Sequence, residues 1–219
     1  MLFHDRLDAG RFLASKLRRF ANRPDTVILA LPRGGVPVGF EVAKALNAPL
    51  DVFVVRKLGV PGHEELAMGA IASGGIRVLN EDVVHALAIP DQVIDRVAAT
   101  EERELERREG DYRDDRPPVE VQGRTVILVD DGLATGSSMR VAVLALKRKR
   151  PAQIVVAVPV AAPTTCAAFE PEVDQVICAV TSEAFHSVGQ WYEDFTQTSD
   201  EMVRDLLRRS ASLPAPSAA

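Results

Sequence analysis

Val126-Ile127-Leu128-Val129-Asp130-Asp131-Gly132-Leu133-Ala134-Thr135-Gly136-Ser137-Ser138-Met139 sets two adjacent carboxylates between an apolar run of strand length and a loop of small residues. Val126 to Val129 is β-branched and aliphatic, and from Met139 through Leu146 apolar side chains return at helical spacing, so the loop lies at a strand-to-helix junction. Parallel α/β sheets bind ligands at such junctions. Gly132 and Gly136 let a ligand approach the backbone, while Thr135, Ser137 and Ser138 add hydroxyls that can also cap the helix. Free N–H groups of the first helical turn, together with the positive end of the helix dipole, make an anion site there. Asp130 and Asp131 would repel a phosphate inside that cradle; they suit a neighbouring group such as sugar hydroxyls or a magnesium ion. A plain capped helix start needs one hydroxyl and no paired acids. A Walker phosphate loop is excluded, because no Gly-Lys-Ser/Thr occurs.

Apolar strand, two acids, Gly-x-x-Thr-Gly and Ser together resemble the signature of type I phosphoribosyltransferases, matched by Asp130-Asp131-Gly132-Leu133-Ala134-Thr135-Gly136-Ser137-Ser138. The resemblance implies that Ala134, Thr135, Gly136, Ser137 and Ser138 hold the 5′-phosphate of phosphoribosyl pyrophosphate (PRPP). It implies too that Asp130 and Asp131 contact the ribose hydroxyls. A second anion loop stands upstream: Thr26 to Leu31 is strand-like, and Pro32-Arg33-Gly34-Gly35-Val36-Pro37 leads into a helix bearing Val38, Val42, Ala45 and Leu46. Gly34 and Gly35 can turn backbone amides toward an anion, and Arg33 offers a fork of donors for phosphate oxygens. In the family this position is the pyrophosphate loop. A third stretch, Asp51 to Glu65, ends a strand in Arg56-Lys57 and runs into Leu58-Gly59-Val60-Pro61-Gly62-His63-Glu64-Glu65; it resembles the family's cationic stretch and mobile loop. Arg56 or Lys57 would then neutralise the departing pyrophosphate, and the loop would close to exclude water. The further lysine of some better-known members is missing here, and His63 is the loop's one histidine.

The chain's 219 residues, 47% of them hydrophobic, suffice for a sizeable core. We expect an α/β fold: a twisted, mainly parallel sheet flanked by helices, forming one domain over residues 1–209. Its core would span about 22–180, a small hood would comprise 181–209 with the N-terminal helix 5–21, and 210–219 would be a disordered Ser/Pro/Ala tail. Helix 5–20 either belongs to that hood or flanks the sheet. Short strands are expected over 67–73 and 76–79 and a helix over 91–108, whose Glu/Arg pairs mark a solvated face. A polar linker should occupy 111–118, and two further strands 154–160 and 173–180. Cys166 and Cys178 lack metal-like spacing and are expected as free thiols in a reducing cytoplasm. No apolar run approaches a membrane span, and a net charge of −5 argues against general nucleic-acid binding. Lys147-Arg148-Lys149-Arg150 falls at a helix C-terminus, where the dipole favours it.

Phe185, Trp191, Tyr192 and Phe195 concentrate four of the chain's eleven aromatic residues in one short segment. Phe185, Trp191 or Tyr192 could stack on a planar acceptor, or the group could be the hood's own core. The resemblance implies a Mg2+-dependent enzyme that passes the phosphoribosyl group of PRPP to a nitrogen of a small base-like acceptor, with Arg33, Lys57, Asp130 and Asp131 as its catalytic set. A homodimer is compatible with this reading. The alternative is a non-catalytic, PRPP-binding regulatory protein.

Overall fold

A computed structural model describes residues 2–114 and 116–213. Among these, five strands form one parallel sheet in the order β2-β1-β6-β7-β8. The chain enters through α1 (Arg6–Lys16) and a short 3-10 turn, then runs β1 (Thr26–Ala30), α2 (Gly35–Leu46) and β2 (Leu50–Val52). A separate antiparallel sheet follows, made of β3 (Val55–Val60), β4 (His63–Ala72) and β5 (Ile76–Leu79). Then come α3 (Glu81–Ala86), α4 (Asp91–Arg113), β6 (Thr125–Val129), α5 (Ser137–Arg148), β7 (Gln153–Ala161), α6 (Pro163–Phe169), β8 (Gln175–Thr181) and α7 (Asp200–Ala211).

Every residue of β1 and β6 is buried, which is why both read as continuous apolar runs and not as alternating ones. Residues of alternate parity face two cores. Ile28, Ile127 and Val155 pack with α1, α2, α4 and α7, while Val27, Val126 and Val156 pack with α5 and Phe169. Pro159 sits inside β7, where the missing N–H would break a ladder, but β6 has stopped opposite Ala157, so only β8 flanks that point.

The expected fold class holds, and its details depart from the sequence reading at named places. The helix from Asp91 runs to Arg113, so residues 111–113 are helical and not linker. Residues 58–65 belong largely to a β-hairpin whose turn is Pro61–Gly62. α7 is not hood. Its Val203, Leu206 and Leu207 join the main core, because a helix with one apolar stripe buries it where α2 and α4 leave a groove. α7 also continues through Ala211 with Ser210 buried, so the expected tail does not begin at 210; residues 214–219 lie outside the described residues. Finally, Cys166 and Cys178 form a disulfide with Cα atoms 6.6 Å apart, in place of two free thiols; α6 folds back over β8 and brings the two together. No described helix is long and apolar enough to cross a membrane.

Candidate active site

β1 and β6 are neighbours in the sheet, so the loops leaving their C-terminal ends meet, and the Leu31 amide donates to the Val129 carbonyl at 2.9 Å. There is no room between them for a side chain. A Cβ on Gly35 would stand 2.8 Å from the Val129 oxygen and 3.0 Å from Asp130 Cα, and one on Gly34 would overlap the Asp131 carboxylate. Gly34 has ordinary helical angles, so close approach and not an unusual backbone conformation is what requires glycine there. The expected pyrophosphate loop thus packs directly on the expected ribose-binding acids.

The two acids differ in environment. Burial, and secondarily the charge of Asp131, pushes the Asp130 carboxyl well above the ordinary carboxylate range. Burial raises Asp131 as well, but the Arg6 guanidinium opposes it through a 2.8 Å bond from Nε to Oδ2. Two adjacent carboxylates in one low-dielectric site cannot both ionise cheaply. A hard divalent cation placed at the pair would favour the ionised forms and oppose the shift.

Arg6 was missed in the sequence. Besides Asp131 it donates to the Thr196 carbonyl at 2.8 Å, and its guanidinium lies 3.9 Å from the centre of the Phe195 ring. Tyr192, one of the stacking candidates, is buried: its ring packs near Phe3 and its hydroxyl donates to the Asp131 carbonyl at 2.5 Å. It is therefore a positioning residue for the acid pair and not an exposed face for an acceptor. Phe3 pairs with Tyr192 across an isolated bridge, so the hood is a clasp between the N-terminal residues and the segment around 185–198, with α1 packed beside it on α2. Phe185 and Trp191 stack on each other with ring centres 6.3 Å apart and remain partly exposed.

The cradle lies on the other side of the acids. Gly136 adopts φ +73°, a left-handed conformation that justifies glycine, and its missing Cβ leaves space for the Phe169 ring, which would otherwise be 2.6 Å away. Gly132 is glycine for a different reason: Val188 and Val160 pack against it. α5 starts with no side-chain cap, and Ala134, Thr135, Ser137 and Ser138 are exposed. The twelve-residue helix thus begins beside three exposed hydroxyls, of which Thr135 and Ser137 lie 3.1 Å apart and bond each other, and its positive end suits an anion there. Thr165 Oγ1 donates to the Ala134 carbonyl at 3.0 Å and fixes the loop from the α6 side.

The remaining candidates stand apart. Arg33 Nη1 approaches Asp200 Oδ1 at 3.9 Å, at the start of α7, where Tyr112 also donates to Asp200; burial followed by that bond pushes the phenol up to about 12. Arg56 and Lys57 lie on β3, opposite Ile71 and Ala70. Arg56 is held by Glu101 on α4 at 2.7 Å, so that helix is not merely a solvated face, whereas Lys57 is exposed and makes no ion pair among the described residues. They border a cavity of about 610 Å³ shared with Pro61, Arg96 and Glu101. His63 is exposed at the hairpin tip. A cavity of about 580 Å³ lies at the opposite, N-terminal edge of the sheet and contains none of the candidate residues.

Among the described residues no cluster of three or more His, Cys, Asp or Glu could cage a metal. Asp130 and Asp131 do fit magnesium in another way, since that ion is commonly held by one or two carboxylates plus substrate oxygens.

Comparison with known proteins places these loops in context. A family model described as the phosphoribosyl transferase domain matches residues 3–194. Two Mycobacterium tuberculosis proteins named as prospective phosphoribosyl transferases are 46% identical over 209 residues, which is 95% of this chain and 47% of theirs, so the chain spans about half the length of these relatives. A crystal structure of a Thermus thermophilus protein is 40% identical, covers 95% of this chain and 99% of its own, and superposes with a TM-score of 0.83.

Proposed function

The chain belongs to the phosphoribosyl transferase domain family, and from that premise we propose that it transfers the 5-phosphoribosyl group of PRPP to a nitrogen of a base-like acceptor, releasing pyrophosphate. One observation supports the reading: Gly34 and Gly35 abut Asp130 and Asp131 without space for a Cβ, so the Arg33–Gly35 loop and the acid pair meet at the C-terminal ends of β1 and β6.

In this reading the amides and hydroxyls of Ala134, Thr135, Gly136, Ser137 and Ser138 anchor the 5′-phosphate, and Asp130 and Asp131 orient the ribose. Arg33 and the Gly34–Gly35 backbone take the pyrophosphate, and Arg56 and Lys57 reach it as the β3–β4 hairpin folds inward over the site. Charge leaving the ribose C1 carbon grows on the pyrophosphate, so donors aimed there act on the transition state more than on the ground state. Mg2+ bound at Asp130, Asp131 and the substrate oxygens would supply further neutralisation of that charge. Phe185 and Trp191 are the stacking faces for the acceptor. The proposal includes a cytoplasmic setting, where a polyanion such as PRPP is retained by its charge.

The bond between Arg56 and Glu101 favours a second reading, a regulatory protein that binds PRPP without turnover, because it holds one of the two hairpin cations away from a leaving group. Incubation with PRPP, Mg2+ and a mixture of nucleobases and other nitrogen heterocycles, followed by mass spectrometry for pyrophosphate and ribosylated products, separates the two. PRPP binding without any product would favour the regulator.

A further inference from the structure

We propose that the Cys166–Cys178 disulfide is a redox switch that sets the affinity of the Ala134–Ser138 anion cradle; the identity of the anion as a phosphoribosyl phosphate rests on the function proposed above. α6 forms the outer wall of that cradle. Its Thr165 hydroxyl holds the Ala134 carbonyl at 3.0 Å, and its Phe169 ring, fully buried, fills the corner left by Gly136. The Arg140 guanidinium of α5 lies 5.0 Å from the Phe169 ring centre and bonds Glu172, in the turn after α6, at 2.8 Å.

α6 has only seven residues, too few to hold helical structure by its own hydrogen bonds, so its position depends on tertiary restraints. The disulfide is the covalent one. It joins the residue after Thr165 to β8, a strand paired only with β7 in the described sheet, across a sequence separation of 12. Both cysteines are partly exposed, within reach of a small thiol. A dithiol reductant would attack one sulfur, form a mixed disulfide, and close on itself. Cys166 and Cys178 would gain two electrons and two protons as thiols, and the reductant would become a cyclic disulfide. Freed from β8, α6 would open more often, taking Thr165 from the Ala134 carbonyl and Phe169 from Gly136.

The test compares the 219-residue chain after air oxidation and after dithiothreitol treatment. Thiol titration counts free cysteines, calorimetry measures the affinity for PRPP with Mg2+ and for ribose 5-phosphate alone, and hydrogen exchange follows residues 163–169 and 134–138. The oxidised form should show no free thiol, and reduction should weaken both ligands by roughly tenfold, comparable to one lost hydrogen bond, while speeding exchange in both segments. Cys166→Ser and Cys178→Ser should match the reduced protein and ignore dithiothreitol. Two free thiols after oxidation would overturn the proposal, as would equal exchange and equal ribose 5-phosphate affinity in the two forms. Faster exchange on reduction with no PRPP binding in either form would uphold the link between α6 and the cradle and count against the PRPP reading instead.

Discussion

At the scale of single residues, the acid pair is the most informative feature, because its two members are treated so differently. Asp131 is anchored by Arg6 and by Tyr192 through its backbone, while Asp130 has the Asp131 amide as its one bonded donor among the described residues, at 2.9 Å, and burial outweighs it. Asp131→Asn and Asp130→Asn should each weaken PRPP about 10- to 100-fold, the range for one charge-assisted hydrogen bond, with an unchanged circular dichroism spectrum. An unaltered calorimetric affinity would remove the pair from the ribose site. The raised Asp130 pKa also has a stability consequence. The folded state binds this proton more tightly than the unfolded chain does, so the contribution is complete below the ordinary carboxylate pKa and is lost as pH rises through the raised value. Urea midpoints of the ligand-free protein across that window should fall with pH by more than those of Asp130→Asn; parallel curves would contradict the assignment. The pair itself was legible, since two acids beside a Gly/Ser/Thr loop have few uses. Arg6 was not, because its partner stands 125 residues away and nothing adjacent in sequence marks the arginine that opens α1.

Elements were legible where they obey one period and obscure where glycine and proline interrupt it. β1 and β6 carry unbroken apolar runs and were placed nearly to the residue. The β3–β4 hairpin read as a loop because Gly59, Pro61 and Gly62 break the alternation. Its ladder indeed shifts register on both sides of Gly59, whose Cβ would stand 2.8 Å from the Glu64 carbonyl. The same closeness gives the element-scale prediction. Gly35→Ala should force the β1 and β6 loops apart, cost about 1–3 kcal/mol in denaturant titrations and abolish PRPP binding, whereas Gly110→Ala, on α4 with open space around it and no left-handed backbone, should leave binding intact. Equal binding by both variants would mean that contact between the loops is not what builds the site.

Across the whole molecule, long-range polar ties hold the helical layer to the sheet, and these escaped the sequence entirely. α4 reads as a solvated helix from its Glu/Arg pairs, and Glu104 fits that view: bonds from Arg107 and Arg108 hold its carboxyl at about 2. Yet the helix ends in Arg113, buried against Asp51 of β2 at 2.9 Å and also bonding the Val52 carbonyl. Asp51→Ala would leave that guanidinium without its main partner in an apolar setting and should destabilise the fold by about 3 kcal/mol or more, read from urea unfolding. A loss within error would show that Glu109 alone neutralises Arg113. The sheet, the two cores and the site-bearing edge therefore follow from local patterns, while the clasp of N-terminus and hood, the α4 anchor and the α6 disulfide arise only when distant segments meet. The most direct test of the account is calorimetric titration of the oxidised protein with PRPP in the presence of Mg2+. Saturable one-to-one binding that is weakened about 10- to 100-fold by Asp131→Asn and abolished by Gly35→Ala is the expected result, and no heat of binding to the unaltered protein would contradict it.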